Sequence, residues 1–369
     1  MTETPVRTSA AKLRCPKCRK SFTLPQESTV GDKVHCPSCK AKIRLGLEAL
    51  QGEVINGYRV LQRIGRGAMG GVFKAEALRD NGKGPMAIKF IAPELREDQE
   101  MLARFTREGE LCQQLRHPAL VRVHEMGRHQ QIPYLRMDLL EGVSLDRVLD
   151  KSGAMDWRKA AEVTLQMAEV LAYLQEQGVV HRDIKPENIL INGKREATLI
   201  DLGFAKRVDD AETFGAEANQ LTMTGTALGS PAYMAPEQIL DAMSASYATD
   251  CYCLGASFYH MVTGNLPYEG KNAMETMQQV LSGGHVEPIT LRPQMPPRVN
   301  QLINWMMAAK PSQRPAAMRE VCAILKRLIV DPTDGSGLPD LPRANKALWW
   351  ALVLVIVAVT AVLAGIFLY

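Results

Sequence analysis

An α+β chain, with a small β-rich lobe ahead of a larger α-rich one, is the fold class this sequence predicts. Three observations carry that reading. YRVLQRIG, GGVFKAEA and PMAIKFI alternate or run apolar around glycines, as paired strands do. Between Trp157 and Gln177, residues Ala160, Val163, Met167, Val170, Leu171 and Leu174 fall at helical spacing, and Gly178 ends the run. At 369 residues the chain is too long for one small core and suits two or three folded units.

Composition narrows the class. Hydrophobic residues make up 46% and charged residues 23%, as in a globular protein with an apolar addition. The net charge of +4 is too small to indicate nucleic acid, which is not expected as a partner. Most of the excess sits in residues 1–50, with ten Lys/Arg against four Asp/Glu. MTETPVRTSA has no apolar signal region, so most of the chain is expected in the reducing cytoplasm. Four scattered cysteines, Cys112, Cys251, Cys253 and Cys322, lie in apolar sequence and read as buried thiols.

Four segments follow: residues 12–45, a mixed region at 58–328, a linker at 329–346 and an apolar run at 347–369. No repeat at a solenoid period is visible. In the first segment CPKC and CPSC stand seventeen residues apart, the spacing of a four-cysteine zinc ribbon. Cys15, Cys18, Cys36 and Cys39 are therefore the candidate ligands of a structural Zn2+. Pro16 and Pro37 stiffen the turns, and the intervening FTLP and TVGDKVH are expected to pair as short strands. A redox CxxC explains one pair but not the second, and a complete cysteine set leaves His35 out. So short a unit needs its metal. It resembles the short bacterial ribbons fused to the N-termini of larger proteins, which implies no activity. Its basic face suits a protein contact, anionic headgroups or nucleic acid, and its partner stays open.

In the mixed region, Gly65, Gly67 and Gly70 make G-x-G-x-x-G, a spacing shared with dinucleotide-binding folds. A dinucleotide fold would open a helix after the glycines, whereas here the chain continues into VFKAEA and then AIK, two more strands. A glycine hairpin over phosphates followed by a lysine on the third strand points to phosphoryl transfer. Lys89 is placed for the α/β-phosphates, and Glu108 in FTREGEL is its expected ion-pair partner. HRDIKPEN supplies Asp183 to take the proton of an attacking hydroxyl and Asn188 to hold magnesium. Asp201 in IDLG is the second expected magnesium ligand.

Taken in this order over residues 58–328, these motifs resemble the eukaryotic-like Ser/Thr protein kinases, most of all the bacterial membrane-bound members. The resemblance implies a bilobal protein-kinase fold, ATP with Mg2+ (or Mn2+), and protein substrates. It implies a phosphate cover made of Gly65, Arg66, Gly67, Ala68, Met69, Gly70 and Gly71. Ile64, Val72, Ala87 and Leu190 would enclose the adenine, Met137 would stand as gatekeeper, and the backbone of Asp138 and Leu140 would read the base. Lys185, two residues after Asp183, implies Ser/Thr specificity and contact with the transferred phosphate. Glu237 of MAPE is expected to pair with Arg314, and Asp250 to support the catalytic loop. Arg182 before the catalytic aspartate implies activation by phosphorylation, with Thr222 and Thr224 as the expected sites. Leu202 replaces the usual Phe of Asp-Phe-Gly, Ser230 a common Thr, and Met-Ala-Ile-Lys the usual Val-Ala-Ile-Lys; none removes the chemistry. A pseudokinase or a ribbon scaffold is the alternative, but Lys89, Asp183 and Asp201, which pseudokinases lose, are all kept.

The run ALWWALVLVIVAVTAVLAGIFLY, Ala347 to Tyr369, has no charge. At about 1.5 Å per residue it measures about 35 Å, enough for a bilayer core of about 30 Å. Trp349 and Trp350 at one end and Tyr369 at the other suit the interfaces, and Arg343 and Lys346 keep the preceding side cytoplasmic. A single-pass anchor in the inner membrane is expected, with ribbon and kinase domain in the cytoplasm and no outer sensor. Ala361-x-x-x-Gly365 has the spacing that permits helix pairing, and so a homodimer. The Pro/Gly-rich stretch DPTDGSGLPDLPRANK would keep the kinase within about 60 Å of the bilayer.

Overall fold

The computed structural model describes residues 12–25, 28–67, 70–79, 84–95, 98–202, 205–207, 231–241 and 244–339. Ala68, Met69, Thr222, Thr224, Ser230 and the apolar run Ala347–Tyr369 lie outside the described residues. Among the described residues no helix is long and apolar enough to cross a membrane.

The cysteine segment forms two hairpins, and here the strand expectation is corrected. FTLP and TVGDKVH do not pair with each other. Instead β1 (Lys12–Arg14) pairs with β2 (Ser21–Thr23), and β3 (Lys33–His35) with β4 (Lys42–Arg44). Each CxxC is the turn of its own hairpin, so the strands it brings together are the two that flank it. In both turns the residue after the second cysteine is left-handed, Arg19 at φ 61° and Lys40 at φ 59°. Cys15 N–H donates to Lys20 O and Cys36 N–H to Ala41 O, both at 2.9 Å. The matching geometry exposes a duplication in the sequence: KLRCPKC at Lys12 is repeated as KVHCPSC at Lys33. The final leucines of the two copies, Leu24 and Leu45, are both 2% exposed and join the main hydrophobic core rather than the ribbon's own. The ribbon is thus seated on the lobe that follows.

That lobe is an antiparallel sheet in the order β5-β6-β7-β8-β10-β9: β5 (Val54–Ile55), β6 (Tyr58–Gly67), β7 (Gly70–Ala77), β8 (Met86–Ile91), β9 (Val123–His129) and β10 (Ile132–Asp138). The turn from β5 to β6 is Asn56-Gly57, both at positive φ, the two-residue turn whose twist suits a hairpin. Gln130 and Gln131 do the same between β9 and β10 at φ 49° and 63°, without glycine. Contacts hold that tip. The Gln130 amide donates to both oxygens of buried Glu53 at 2.9 and 2.8 Å, and Val30 N–H of the ribbon reaches Gln130 Oε1 at 3.5 Å. Helix α1 (Gln99–Gln114) covers one face, with Gly109 permitting close approach to Leu135 and Met126.

The second lobe is helical, as its patterning predicts. It comprises α2 (Leu145–Ser152), α3 (Trp157–Glu176), α4 (Pro236–Leu240), α5 (Tyr247–Thr263), α6 (Ala273–Ser282), α7 (Pro288–Leu291), α8 (Pro297–Met306) and α9 (Met318–Val330). Asp156 caps α3, accepting from Arg158 N–H and Lys159 N–H, and the predicted apolar stripe from Ala160 to Leu174 is buried. Helix α3 packs against α9 and α5, and α5 is buried along most of its length. Cys112, Cys251, Cys253 and Cys322 are buried free thiols, as their apolar surroundings predict. The short strands β11 (Val143–Ser144), β12 (Val179–Val180), β13 (Ile189–Ile191), β14 (Ala197–Leu199) and β15 (Lys206–Arg207) form two small sheets, β11-β13-β14 and β12-β15.

Candidate active site

The sheet's register brings several of the expected nucleotide residues onto one face. Val72 faces Lys89 and Lys89 faces Leu135; in the neighbouring row Lys74 faces Ala87 and Ala87 faces Met137. Directly opposed residues share a face, and so do residues two apart in a strand. Val72, Ala87, Lys89 and Met137 therefore line the same side. Ala87 and Met137 are buried, Leu190 of β13 is half-buried, and Ile64 is 47% exposed. Asp138 N–H is engaged by Arg122 O at 3.0 Å, and Asp138 Oδ1 meets His124 Nε2 at 2.6 Å, a contact the sequence reading did not foresee. Leu140 follows in the half-buried segment between the lobes.

Between β6 and β7 the glycines close a hairpin, with Gly65 opposite Val72, Arg66 opposite Gly71 and Gly67 opposite Gly70. Gly70 has φ 154°, and a Cβ there would stand 1.9 Å from Phe90 O, so the chain can pass only as glycine. Lys89 Nζ donates to Glu108 Oε1 of α1 at 2.7 Å and to Asp201 Oδ1 at 3.2 Å, joining the two lobes through one ammonium. Burial alone would lower the Lys89 ammonium, but the Asp201 and Glu108 carboxylates outweigh it and hold Lys89 above its ordinary value. Glu108 is pushed up to about 7 by burial, against the pull of Lys89.

The loop after β12 carries Asp183, Lys185 and Asn188. Lys185 Nζ donates to Asp183 Oδ1 at 2.9 Å, and the Asn188 amide donates to Asp183 Oδ2 at 2.9 Å and to Asp183 O at 2.8 Å. Both neighbours are donors, so each carboxylate oxygen of Asp183 is held by one of them. Ile200 N–H donates to Asn188 O at 3.0 Å, which brings Asp201 alongside. Arg182, at φ 73°, bends the loop; Gln238 of α4 donates to Arg182 O at 2.7 Å, a support the sequence reading missed. From α5, Asp250 accepts the main-chain N–H of His181 at 2.8 Å and of Arg182 at 2.7 Å. Burial raises the Asp250 carboxyl, opposed by His181 and by these two N–H groups. Arg314 and Glu237 meet in a bidentate pair at 2.7 and 2.8 Å. Leu202 is buried in the core, where an apolar side chain suffices.

The residues present fit a nucleotide with a divalent cation. Asp201 and Asn188 offer hard oxygen donors, the set that suits Mg2+, beside a charged lysine and under a hairpin only glycine can form. The ribbon cysteines likewise fit zinc. All four sulfurs lie within 4.8 Å of one another, with Cys15 to Cys39 at 3.6 Å and Cys18 to Cys36 at 3.7 Å. A disulfide needs about 2.05 Å. Four ligands at about 2.3 Å in a tetrahedron stand about 3.8 Å apart, close to the observed spacing. His35 is exposed and outside the cluster.

Residues 58–324 match the family described as Protein kinase domain. Among curated relatives, the serine/threonine-protein kinase PknA of Mycobacterium tuberculosis is 34% identical over 265 residues, covering 70% of this chain and 58% of PknA. PknH of Mycobacterium bovis is 30% identical over 296 residues, with 80% and 48% covered. A probable serine/threonine-protein kinase of Clostridium perfringens is 29% identical over 277 residues, with 75% and 39% covered. The chain therefore spans about half the length of the curated relatives it matches. The crystal structure of the Mycobacterium tuberculosis PknI kinase domain superposes with a TM-score of 0.57 at 22% identity, covering 75% of this chain and 97% of that one, a likeness of fold. With a family match spanning residues 58–324, the chain belongs to the protein kinase domain family.

Proposed function

We propose that this chain transfers the γ-phosphoryl group of ATP to Ser/Thr hydroxyls of protein substrates. The observation that carries the reading is two side-chain groups, Lys89 with Glu108 and Asp201 at 2.7 and 3.2 Å and Asp183 with Lys185 and Asn188 at 2.9 Å each, joined through the Ile200 N–H to Asn188 O bond at 3.0 Å. Val72, Ala87, Met137, Leu190 and Ile64 would enclose the adenine. The Asp138 N–H is already engaged, so its carbonyl, with the Leu140 N–H, would meet the base edge. Lys89, oriented by Glu108, would hold the α/β-phosphates, and the glycine hairpin would cover them. Asp201 and Asn188 would hold Mg2+, which when bound neutralises charge building on the phosphate oxygens. Asp183, oriented by Asn188, would take the hydroxyl proton while Lys185 contacts the transferred phosphate. A Ser/Thr acceptor is supported by Lys185 and by the relatives' names.

Four finer statements belong to the same proposal. Arg182, whose Nε is buried without a hydrogen-bond partner among the described residues, would receive a phosphate on Thr222 or Thr224 and so order the activation segment. Cys15, Cys18, Cys36 and Cys39 would hold a structural Zn2+. Ala347–Tyr369 would anchor the chain in the inner membrane with the kinase domain on the cytoplasmic side, and pairing of that helix would favour a homodimer. The basic ribbon would serve a protein contact.

The test is radiolabel transfer from ATP to a generic basic protein. Asp183→Asn should abolish transfer and leave ATP binding largely intact. Substantial residual transfer refutes the role given to Asp183, and no transfer by the wild-type chain favours a pseudokinase or scaffold.

A further inference from the structure

The glycine hairpin is not left to itself: one arginine is packed against it. Arg63 of β6 donates from Nε to Gly65 O at 3.1 Å and from Nη2 to Gly70 O at 3.3 Å, spanning the base of the hairpin from one strand to the other. The guanidinium lies so close to the backbone that a Cβ on Gly71 would stand 2.8 Å from Nη2 and 3.0 Å from Cζ. Phe73 backs it, with its ring centroid 5.9 Å from Cζ. Register breaks on both sides of Arg63, between Val60 and Arg63 and between Arg63 and Gly65, re-aim this side chain within the strand.

The remaining nitrogen points the other way. Arg63 Nη1 donates to Glu48 Oε1 at 2.7 Å, and the side chains are 20% and 35% exposed. Glu48 sits in the short 3-10 turn Leu47–Leu50 that connects the cysteine ribbon to the sheet. Leu47 and Leu50 of that turn are buried in the lobe's core, so Glu48 stands on a fixed base.

We propose that Arg63 is a positioning residue for the nucleotide, clamping the glycine hairpin in its folded form, and that Glu48 sets Arg63, so that the ribbon's connector tunes ATP affinity. The proposal rests on the kinase reading above for its ligand. Gly65, Gly67, Gly70 and Gly71 give the hairpin unusual backbone freedom, which must be lost when phosphates bind beneath it. A clamp that removes part of that freedom beforehand strengthens binding without touching the ligand. The guanidinium meets the two carbonyls and the carboxylate from three separate nitrogens in a rigid fork, a reach that the single nitrogen of a lysine does not reproduce.

The experiment uses the full chain with Arg63→Met, Arg63→Lys, Glu48→Gln and the Glu48→Gln/Arg63→Met pair. Mg·ATP affinity is measured by calorimetry, and KM for ATP and kcat by steady-state transfer. Arg63→Met should weaken ATP binding and raise KM about fivefold, the size of about one lost hydrogen bond, with a smaller change in kcat. Arg63→Lys should follow Arg63→Met rather than wild type. Glu48→Gln should give about a twofold loss, and the pair should be no worse than Arg63→Met, since the two act in series. ATP affinity unchanged in both Arg63→Met and Glu48→Gln overturns the proposal; should Arg63→Met not fold, Glu48→Gln decides it alone.

Hydrogen exchange without nucleotide separates this proposal from the functional reading. The backbone amides of the hairpin should exchange about tenfold faster in Arg63→Met or Glu48→Gln, because the restraint is lost whether or not ATP binds. Unchanged exchange overturns the clamp. Absence of ATP binding by the wild-type chain, with faster exchange in the variants, overturns the kinase reading and leaves the clamp standing.

Discussion

Asp250 lies buried under Arg182, and its Oδ1 accepts the Arg182 N–H at 2.7 Å while Oδ2 accepts that of His181 at 2.8 Å. Arg182 takes φ 73°, a conformation that costs a non-glycine residue about 1–3 kcal/mol, and the two N–H bonds to Asp250 hold the chain where it enters this bend. The carboxylate holds the bend from which Asp183 is presented. Asp250→Ala leaves both N–H groups without this acceptor and should cost about 2–4 kcal/mol of stability. It should also lower phosphotransfer more than tenfold through misplacement of Asp183. Asp250→Asn keeps one acceptor oxygen and should fall between. Urea unfolding and steady-state transfer check this; full activity in a folded Asp250→Ala would sink it.

Glu237 and Arg314 give a prediction with a sign in pH. Burial alone would raise the Glu237 carboxyl, but hydrogen bonds and charge from Arg314 outweigh it and hold the group below its ordinary value. A depressed folded pKa contributes stability above the unfolded pKa, and that contribution is lost as pH falls through the folded one. Arg314 is fully buried, so Glu237→Gln removes the charge facing it and should cost about 3 kcal/mol near neutrality. The difference between wild type and Glu237→Gln should narrow steadily as pH drops below the ordinary carboxylate range. A difference independent of pH from neutral to strongly acidic solution would contradict the ion pair as the source.

How much was legible follows from what each part requires of residue type. Lys89, Glu108, Asp183, Lys185, Asn188 and Asp201 stood out because phosphoryl transfer tolerates few substitutes, and their order along the chain survives any packing detail. Helix α3 was readable because its apolar residues, Ala160 to Leu174, repeat over about four turns. What the sequence reading missed is carried by short or scattered elements. β5 is two residues long, too brief for alternation to show, although the Asn56-Gly57 turn was a usable signal. The seating of the ribbon depends on single leucines, Leu24 and Leu45, that have no periodicity of their own. Only comparing the two CPxC copies would have marked them as equivalent. Arg63 looked like an ordinary strand arginine, since nothing in its sequence context announces a bulge.

The ribbon should bind one zinc per chain. Backbone N–H groups, that of Cys39 first, push the Cys36 thiol down to about 6, while Cys39, against the pull of the Ala41 N–H, is held up at about 11 by burial and the three facing sulfurs. Release of zinc to a chromophoric chelator should approach one equivalent, and Co2+ substitution should give a tetrahedral spectrum. Cys36→Ser should lose most of the metal. Because Leu24 and Leu45 join the lobe's core, metal loss should also lower the thermal midpoint of the kinase lobe. A midpoint unaffected by chelation would mean the ribbon folds and unfolds independently.

Gly109 couples the packing of α1 to the Lys89–Glu108 pair. A Cβ at this position would stand 2.6 Å from Leu135 Cδ2 and 2.8 Å from Met126 Sδ, so Gly109→Ala must move the helix or those side chains. Two effects oppose. Alanine favours a helix interior by about 1 kcal/mol, and overpacking costs about 1–3 kcal/mol. Leu135 is fully buried and cannot swing away, so the helix should move. Glu108 precedes Gly109 and would be drawn off Lys89, to which it is held at 2.7 Å. The net stability change should therefore be small while phosphotransfer falls about tenfold or more, a split between folding and function. Gly109→Ala/Leu135→Val removes the contacting carbon and should recover activity. Wild-type rates in Gly109→Ala alone would show that the sheet yields instead of the helix.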